Sequence, residues 1–141
     1  MNSREIIIEL KKVLTESEYL SEVKAVVLGY RKRNLVSPQI QIDLTSREES
    51  NYSLNKERAE LEVKILAVKM VKEEAGIADI LALEDNIYKA LFAQTPVLLN
   101  GAASDLSVGV VEYGFVEDNI NMRAVTIPLT ITYFINSKTR T

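Results

Sequence analysis

Carboxylates are the side chains of this sequence best able to do chemistry, and four pairs among the 20 are sequence neighbours. The pairs are Glu48-Glu49, Glu73-Glu74, Glu84-Asp85 and Glu117-Asp118. Hydrolysis by two carboxylates requires that they converge from separate elements into an enclosed site. Neighbouring charges in turns and at helix starts are usually solvated instead. The pattern therefore favours solvated pairs over a catalytic dyad.

Metal and nucleophile chemistry has few candidates. The segment with Asp118, Asn119 and Asn121 offers oxygen ligands for a hard cation, but it lacks the acidic spacing and the distal Glu of a calcium loop. The absence of cysteine removes disulfides, thiolate catalysis and cysteine-based zinc sites. The absence of histidine removes the commonest general base and metal ligand. We therefore expect no enzyme activity, no cofactor and no metal.

The run Tyr30-Arg31-Lys32-Arg33 is the one compact basic cluster. It can be interpreted as a contact for DNA or for an acidic partner surface, or as a solvated turn. Three charges are a weak electrostatic footprint, and a net charge of −3 argues against broad nucleic-acid binding. The sequence therefore favours the solvated turn.

Residues 45–56 are polar, and we expect them to form a long, mobile hairpin tip. Connections of this length are either functional or disordered. Contact with a neighbouring subunit and simple disorder both stay open for this segment.

Two segments have the apolar spacing of amphipathic helices. The first opens with Asn2 as its cap and Glu5 three residues later. Its apolar face is Ile6, Ile7, Leu10, Val13 and Leu14. The second covers residues 77–92, with a stripe of Ile80, Leu83, Ile87, Ala90 and Leu91.

Five segments predict strands, namely residues 23–28, 39–44, 58–71, 107–116 and 122–135. Ile40, Ile42 and Leu44 of the second strand are expected to face inward. In the third strand the apolar phase flips near Ile65-Leu66, which indicates a bulge or a strand covered on both faces. Helix competes there because Glu, Leu, Lys and Ala are good helix formers. Residues 97–99 predict a further short strand before a turn.

The last strand alternates apolar residues at its odd positions with mostly threonine at its even positions, and Pro128 falls inside it. Because proline cannot donate to a ladder, we expect a free edge or a bulge there. An ordinary bulge is the simplest interpretation. The alternative is an edge that is kept from pairing with itself but stays open to a chosen partner.

The elements follow in the order α-β-β-β-α-β-β, which predicts an α+β fold in a single domain over residues 1–141. Hairpin connections imply a mainly antiparallel sheet, and two helices with one apolar stripe each can pack on one of its faces. The other face is expected to be polar but not devoid of apolar residues, with Thr130, Thr132, Gln39, Gln41, Glu60 and Glu62.

Neither a membrane span nor a secretory signal is evident in the sequence. No apolar run approaches the roughly 20 residues that a span needs, and the N-terminal residues contain no apolar core of signal-peptide length. Synthesis in the cytosol is the expectation.

Several features of this layout together match one family of proteins. They are the opening helix with Ile7, Leu10 and Leu14, the strand led by Pro38-Gln39-Ile40-Gln41-Ile42, the polar hairpin before a long strand, the mid-chain helix with Ile80, Ile87, Ala90 and Leu91, and the closing run from Ala124 through Pro128 to Tyr133. With these features, nearly the whole chain resembles the tail terminator, or tail completion, proteins of tailed bacteriophages and phage-like particles.

The resemblance implies a non-enzymatic virion protein of the tail, assembled in the cytoplasm of the bacterial host. Six copies would form a ring on the tail tube, stop its polymerisation and present a surface for the head-tail connector protein. DNA would pass through the ring transiently. Candidate contacts to a neighbouring subunit or to the tube protein are Tyr30, Arg31, Lys32, Arg33, Arg47, Glu48, Glu49, Tyr52 and Lys56.

Two other functions stay open from the sequence. A neck or minor tail protein would join head to tail without setting tail length. A small-molecule-binding α/β domain could use Ser, Lys and Asp side chains without histidine.

Overall fold

Two helices pack on one face of a mainly antiparallel sheet, which confirms the predicted α+β class and element order. The computed structural model describes residues 2–30, 35–71, 76–93, 98–116 and 119–136. The helices are α1 (Ser3–Glu16) and α2 (Gly76–Phe92), and the strands are β1 (Ala25–Leu28), β2 (Gln39–Ser53), β3 (Lys56–Met70), β4 (Asp105–Val108), β5 (Glu112–Val116) and β6 (Asn119–Asn136). Within these residues the six strands form one sheet in the order β1-β2-β3-β6-β4, and β5 also pairs with β6.

Both helices form for the reasons visible in the sequence. The Asn2 side chain accepts a hydrogen bond of 2.9 Å from the Glu5 amide and so caps α1. The predicted apolar residues of each helix are buried or packed against the core, between α1, α2 and the sheet face that we call the inner face. Helix α2 begins at Gly76, where a Cβ would lie 2.8 Å from Cγ2 of Val71.

The pairing of β1 with β2 is parallel, from Ala25↔Gln39 to Leu28↔Ile42. The antiparallel pairing expected from hairpin connections is therefore wrong for this pair. Because β1 and β2 run in the same direction, no tight hairpin joins them. Gly29 follows β1 in the left-handed region, with φ of 92°.

The polar residues 45–56 are not a loop, which corrects the expected mobile hairpin tip. Strand β2 continues to Ser53 and β3 begins at Lys56, so only residues 54–55 form the turn. Backbone pairing with β3 from Ser46↔Glu62 onward satisfies the amide groups that face β3, and an exposed strand of this kind does not need apolar side chains. Polarity alone therefore does not distinguish this strand from a loop.

A bulge between Leu44 and Ser46 changes which side chains of β2 face inward. Before it, Ile40 and Ile42 are buried on the inner face, as predicted. Leu44 pairs with an inward-facing residue of β3 but is 58% exposed, so the expectation that it is covered is wrong.

Strand β3 shows that the phase flip near Ile65-Leu66 reflects coverage on both faces. The register with β6 is unbroken from Lys56↔Asn136 to Met70↔Met122, so β3 contains no bulge against that partner. Ile65 and Ala67 are buried on the inner face, and Val68 is buried on the opposite face, which we call the outer face.

Pro128 lies in an interior strand rather than at a free edge, and it lies at a bulge, the other expected alternative. Between Val108↔Leu129 and Glu112↔Thr126, three residues oppose two residues of β6. The Pro128 carbonyl accepts a hydrogen bond of 2.9 Å from the Gly109 amide, so its nitrogen faces the side of β4 and β5. That side is interrupted at residues 109–111, where β4 has ended and β5 has not begun. The predicted strand over residues 107–116 is thus divided in two. Pro128, which has no amide hydrogen to donate, lies opposite this division.

Two smaller predictions have mixed outcomes. Leu98 pairs with Ala103 in an isolated bridge, whereas Leu99 begins a short 3-10 turn, Leu99–Gly101. Val97 lies outside the described residues. The outer face is polar but not devoid of apolar residues, as expected, and three of its polar residues, Gln39, Gln41 and Thr132, are buried. The Gln41 side-chain amide donates to that of Gln39 over 3.2 Å, so polar groups satisfy one another there.

Candidate functional site

The candidate contact residues that the structure describes lie along β2 and at the end of β1. Arg47, Glu48, Glu49 and Tyr52 belong to β2 and Lys56 begins β3, while Arg31, Lys32 and Arg33 lie outside the described residues. Tyr30 is exposed and follows Gly29, whose amide donates to the carbonyl of Ile42 over 2.7 Å. The chain therefore leaves the sheet at Tyr30, close to Ile42, the last residue of β2 that pairs with β1.

The inner side of the hairpin is tied to helix α1. Arg47 Nε donates to the hydroxyl of Tyr133 over 3.3 Å, and this hydroxyl lies 2.7 Å from Oγ of Ser3. The Arg47 guanidinium also pairs with the Glu49 carboxylate. Arg47 and Glu49 thus have partners within the chain, and the bulge before Ser46 is what turns them inward.

The outer side of the hairpin is more open. Glu48 is exposed opposite Glu60, and Tyr52 packs on Phe134 with ring centroids 4.8 Å apart. At the turn Leu54 is 94% exposed. The hairpin therefore presents charged and aromatic groups beside an unburied leucine.

One lateral edge of the sheet carries a small apolar surface, which we call the β1–β2 patch and define as Leu28, Tyr30 and Leu44. All three side chains are exposed. Beyond Ile42, β2 has β3 as its one neighbour within the described part of the chain. The amide of Leu44 donates to Oδ1 of Asp43 over 3.0 Å. This amide of the open edge is therefore already paired and does not offer itself to another strand.

The opposite edge carries a larger apolar surface, which we call the α2–β5 patch and define as Ile77, Leu81, Tyr113 and Phe115. Tyr113 and Phe115 are each 52% exposed, and Ile77 and Leu81 lie one turn apart on the exposed flank of α2. The Arg123 guanidinium lies 4.5 Å from the centre of the Phe115 ring. Among the described residues β5 has β6 as its one neighbour, so its outer edge is unpaired.

A buried carboxylate joins the two halves of the α2–β5 patch. Glu84 is only 8% exposed, and it accepts hydrogen bonds from the hydroxyls of Tyr88 and Tyr113, the latter at 2.5 Å. Burial and the bond to Glu84 raise the pKa of Tyr88, and the bond to Glu84 followed by burial raises that of Tyr113. The prediction of a solvated Glu84-Asp85 pair is wrong for Glu84, although Asp85 is exposed.

Sequence reasoning missed this cluster, and only part of it leaves a signal in the sequence. Glu84 and Tyr88 are four residues apart, which brings them together on one flank of a helix. Tyr113 comes from β5, and nothing local in the sequence shows that it reaches the same carboxylate.

The outer face of the sheet is mostly acidic where it is exposed. Its exposed acidic residues are Asp43, Glu48, Glu62, Asp105 and Glu112, and its exposed basic residues are Lys56, Arg58 and Lys64. Arg58 pairs with Glu60 at 3.0 Å, which neutralises part of the basic charge. This face is therefore unfavourable for a polyanion.

The described ranges contain no group of three acidic, histidine or cysteine side chains arranged to hold a metal ion. In the same ranges every buried side-chain nitrogen and oxygen has a hydrogen-bond partner. None of the helices described is both long enough and apolar enough to cross a membrane.

Comparison with protein-family models finds no match, and comparison with the sequences of curated proteins finds none. The fold is similar to that of a solved chain from the virion of a native gene transfer agent particle. The TM-score is 0.62 at 17% identity, and the match covers 87% of this chain and 90% of that chain. At this identity the likeness establishes the fold, which is thus found in a virion component.

Proposed function

We propose that this chain is a structural virion protein of a phage-like particle that caps the end of the tail tube as a hexameric ring. The ring stops tube polymerisation and offers a surface to the head-tail connector protein. The observation that carries this proposal is the shared fold with a chain of a gene transfer agent virion, which covers nearly the full length of both chains. The sequence layout that resembles tail terminators points in the same direction.

The chemistry of the described side chains supports a binding role rather than catalysis. The most buried carboxylate, Glu84, already accepts from two tyrosine hydroxyls and is therefore held as a structural group. The apolar side chains exposed at both lateral edges are the kind of surface that protein contacts cover.

DNA is a transient partner in this proposal. An acidic outer face repels phosphates, so a ring that turns this face to the channel lets DNA pass without holding it. The working location is the virion tail, after assembly in the host cytoplasm.

Deleting the gene in the producing strain tests the proposal. A terminator predicts tails that grow beyond their normal length and lack attached heads, which electron microscopy of the particles measures. Expression of the wild-type chain from a plasmid should restore the normal length. Tails of normal length with heads attached would contradict the proposal.

The same fold likeness also fits a second function, a neck or minor tail protein that joins head to tail. The solved chain is a component of a virion, and the likeness in fold does not distinguish a tail protein from a neck protein. The deletion separates the two functions, because loss of a joiner gives free heads and free tails of normal length.

A further inference from the structure

The short turn Leu99–Gly101, which we call the 99–101 turn, contains the one asparagine of the sequence that is followed by glycine, Asn100. In an asparagine-glycine pair the side-chain amide is lost most easily without an enzyme, because glycine has no side chain to hinder attack by its own backbone nitrogen. Asn100 is exposed, and a Cβ on Gly101 would meet nothing within 4 Å. The pair is therefore open to water and has free space beside it.

The 99–101 turn has a backbone conformation that one of its residues rarely adopts. Leu99 has φ of 48° and Asn100 has φ of 55°, both in the left-handed region. Asparagine enters this region readily, whereas leucine does so at a cost in free energy. The Leu99 side chain is buried in the core cluster, and such a backbone persists only where surrounding contacts impose it. The shape of the turn therefore depends on the contacts around it.

Two hydrogen bonds hold the atoms that loss of the side-chain amide would use. The Gly101 amide, whose nitrogen is the nucleophile, donates to the Leu98 carbonyl over 2.9 Å. Nδ2 of Asn100, which is the leaving group, donates to Oε2 of Glu9 over 3.0 Å. Because Glu9 belongs to α1, the second bond also ties the turn to that helix. The reaction therefore requires that the turn opens first.

We propose that Asn100 is a site of spontaneous deamidation and that the carboxylate formed there releases the 99–101 turn from α1. The Gly101 nitrogen, once free of the Leu98 carbonyl, bonds to Cγ of Asn100 while the Cγ–Nδ2 bond breaks. Ammonia leaves with the proton of the Gly101 amide, and water then opens the cyclic imide to give aspartate or isoaspartate. Glu9 slows the first step, because its carboxylate holds the side-chain amide in place.

The product reverses the interaction between position 100 and Glu9. An amide that donates to Glu9 becomes a carboxylate, which has no proton to donate at neutral pH and repels the Glu9 carboxylate. In the isoaspartate form the backbone also gains an atom, in a turn whose dihedral angles are already unusual. Deamidation therefore loosens the turn from α1, whether or not the chain caps a tail tube.

The first test follows deamidation in the folded chain. Wild type, Glu9→Ala and Glu16→Ala are incubated in mildly alkaline buffer at physiological temperature, and tandem mass spectrometry of peptides locates and times the loss of each side-chain amide. Glu16 is exposed about two turns further along α1, so its substitution is the matched control. Asn100 should convert before any other asparagine. Its rate should rise roughly twofold to tenfold in Glu9→Ala, as expected for the loss of one hydrogen bond, and should not change in Glu16→Ala.

The second test measures the repulsion without waiting for conversion. Asn100→Asp places the new carboxylate opposite Glu9, and a double variant combines it with Glu9→Gln. In urea unfolding, the folding equilibrium constant of Asn100→Asp should be roughly twofold to fivefold smaller than that of wild type, the range for exposed charges. The double variant should regain this loss, because a glutamine amide can donate to the new carboxylate. Glu9→Gln alone completes the double-mutant cycle, and circular dichroism confirms that each variant is folded.

Three results would overturn the inference. They are conversion of another asparagine before Asn100, equal rates in Glu9→Ala and Glu16→Ala, and a double-mutant cycle that shows no coupling between positions 9 and 100. If Glu9→Ala fails to fold, Glu9→Lys replaces it, with Glu16→Lys as its control, since a lysine side chain cannot accept a hydrogen bond from Nδ2 of Asn100.

Discussion

Arg47 and Tyr133 meet across the inner face of the sheet, with Nε of the arginine 3.3 Å from the tyrosine hydroxyl. The contact exists because the bulge between Leu44 and Ser46 shifts the alternation of β2 by one residue. Without that shift Arg47 would point to the outer face. The same hydroxyl contacts Ser3, so one buried tyrosine links β2, β6 and the start of α1.

Replacing Arg47 with methionine keeps the aliphatic stem and removes the hydrogen bond to Tyr133 together with the exposed ion pair to Glu49. We expect a loss of about 1 kcal/mol in the free energy of unfolding, the usual net value of one hydrogen bond. Urea unfolding measures it, with Glu48→Ala on the outer face of the same strand as the control. Equal stability of the two variants would show that the Arg47 contact does not stabilise the hairpin.

Replacing Glu84 with alanine leaves the hydroxyls of Tyr88 and Tyr113 without their acceptor. Tyr113 is half exposed and can turn to water, so we expect a loss of about 2 kcal/mol rather than the full value of two charge-assisted bonds. The control is Asp85→Ala, an exposed neighbour whose removal should change stability by less than about 0.5 kcal/mol. The free energy of unfolding in urea measures both, and similar values for the two variants would contradict a structural role for Glu84.

The same cluster predicts a fall in stability at alkaline pH. The folded chain raises the pKa of Tyr88 and of Tyr113 above the ordinary value of 10.0, so it keeps protons that the unfolded chain loses. Their contribution is therefore fully present below about pH 10 and is lost as pH rises above it. Urea midpoints from about pH 8 to about pH 11 measure this, and Tyr88→Phe should show a shallower fall. An identical slope in Tyr88→Phe would disprove the linkage.

The start of α2 requires a residue without a Cβ. Gly76→Ala would place a carbon 2.8 Å from Cγ2 of Val71, and the resulting overpacking should cost about 1–3 kcal/mol despite the better helix propensity of alanine. Gly114→Ala is the control, because a Cβ there meets nothing within 4 Å. Thermal unfolding compares them, and a Gly76→Ala variant as stable as Gly114→Ala would contradict the steric requirement.

The elements with strong periodicity could be predicted from the sequence. The apolar stripes of α1 and α2, the Asn2 cap and the alternation of β6 are local patterns, and the structure contains each of them. The outer half of β2 could not be predicted, because it is exposed and its backbone bonds depend on β3, a partner outside the segment. The position of Pro128 depends in the same way on where β4 and β5 divide.

Only part of the candidate site could be predicted from the sequence, again because exposure depends on contacts with distant segments. Charged hairpin residues stand out in a sequence, and they include Arg47 and Glu49, which pair with each other. Arg47 also donates to the Tyr133 hydroxyl within the chain. Leu44 has the alternation of a core residue, so its exposure is apparent only once the sheet edge is known, whereas Leu81 lies off the predicted apolar stripe of its helix. Exposed apolar positions are defined by the tertiary structure rather than by local pattern.

Tube growth in vitro tests the central claim most directly. Purified tube protein of the producing particle is polymerised with and without this chain, and electron microscopy measures the tube lengths. A cap predicts that growth stops at an amount of this chain far below that of the tube protein, with one ring at the tube end. Tubes that reach the same lengths in its presence, with no added density at their ends, would contradict the account.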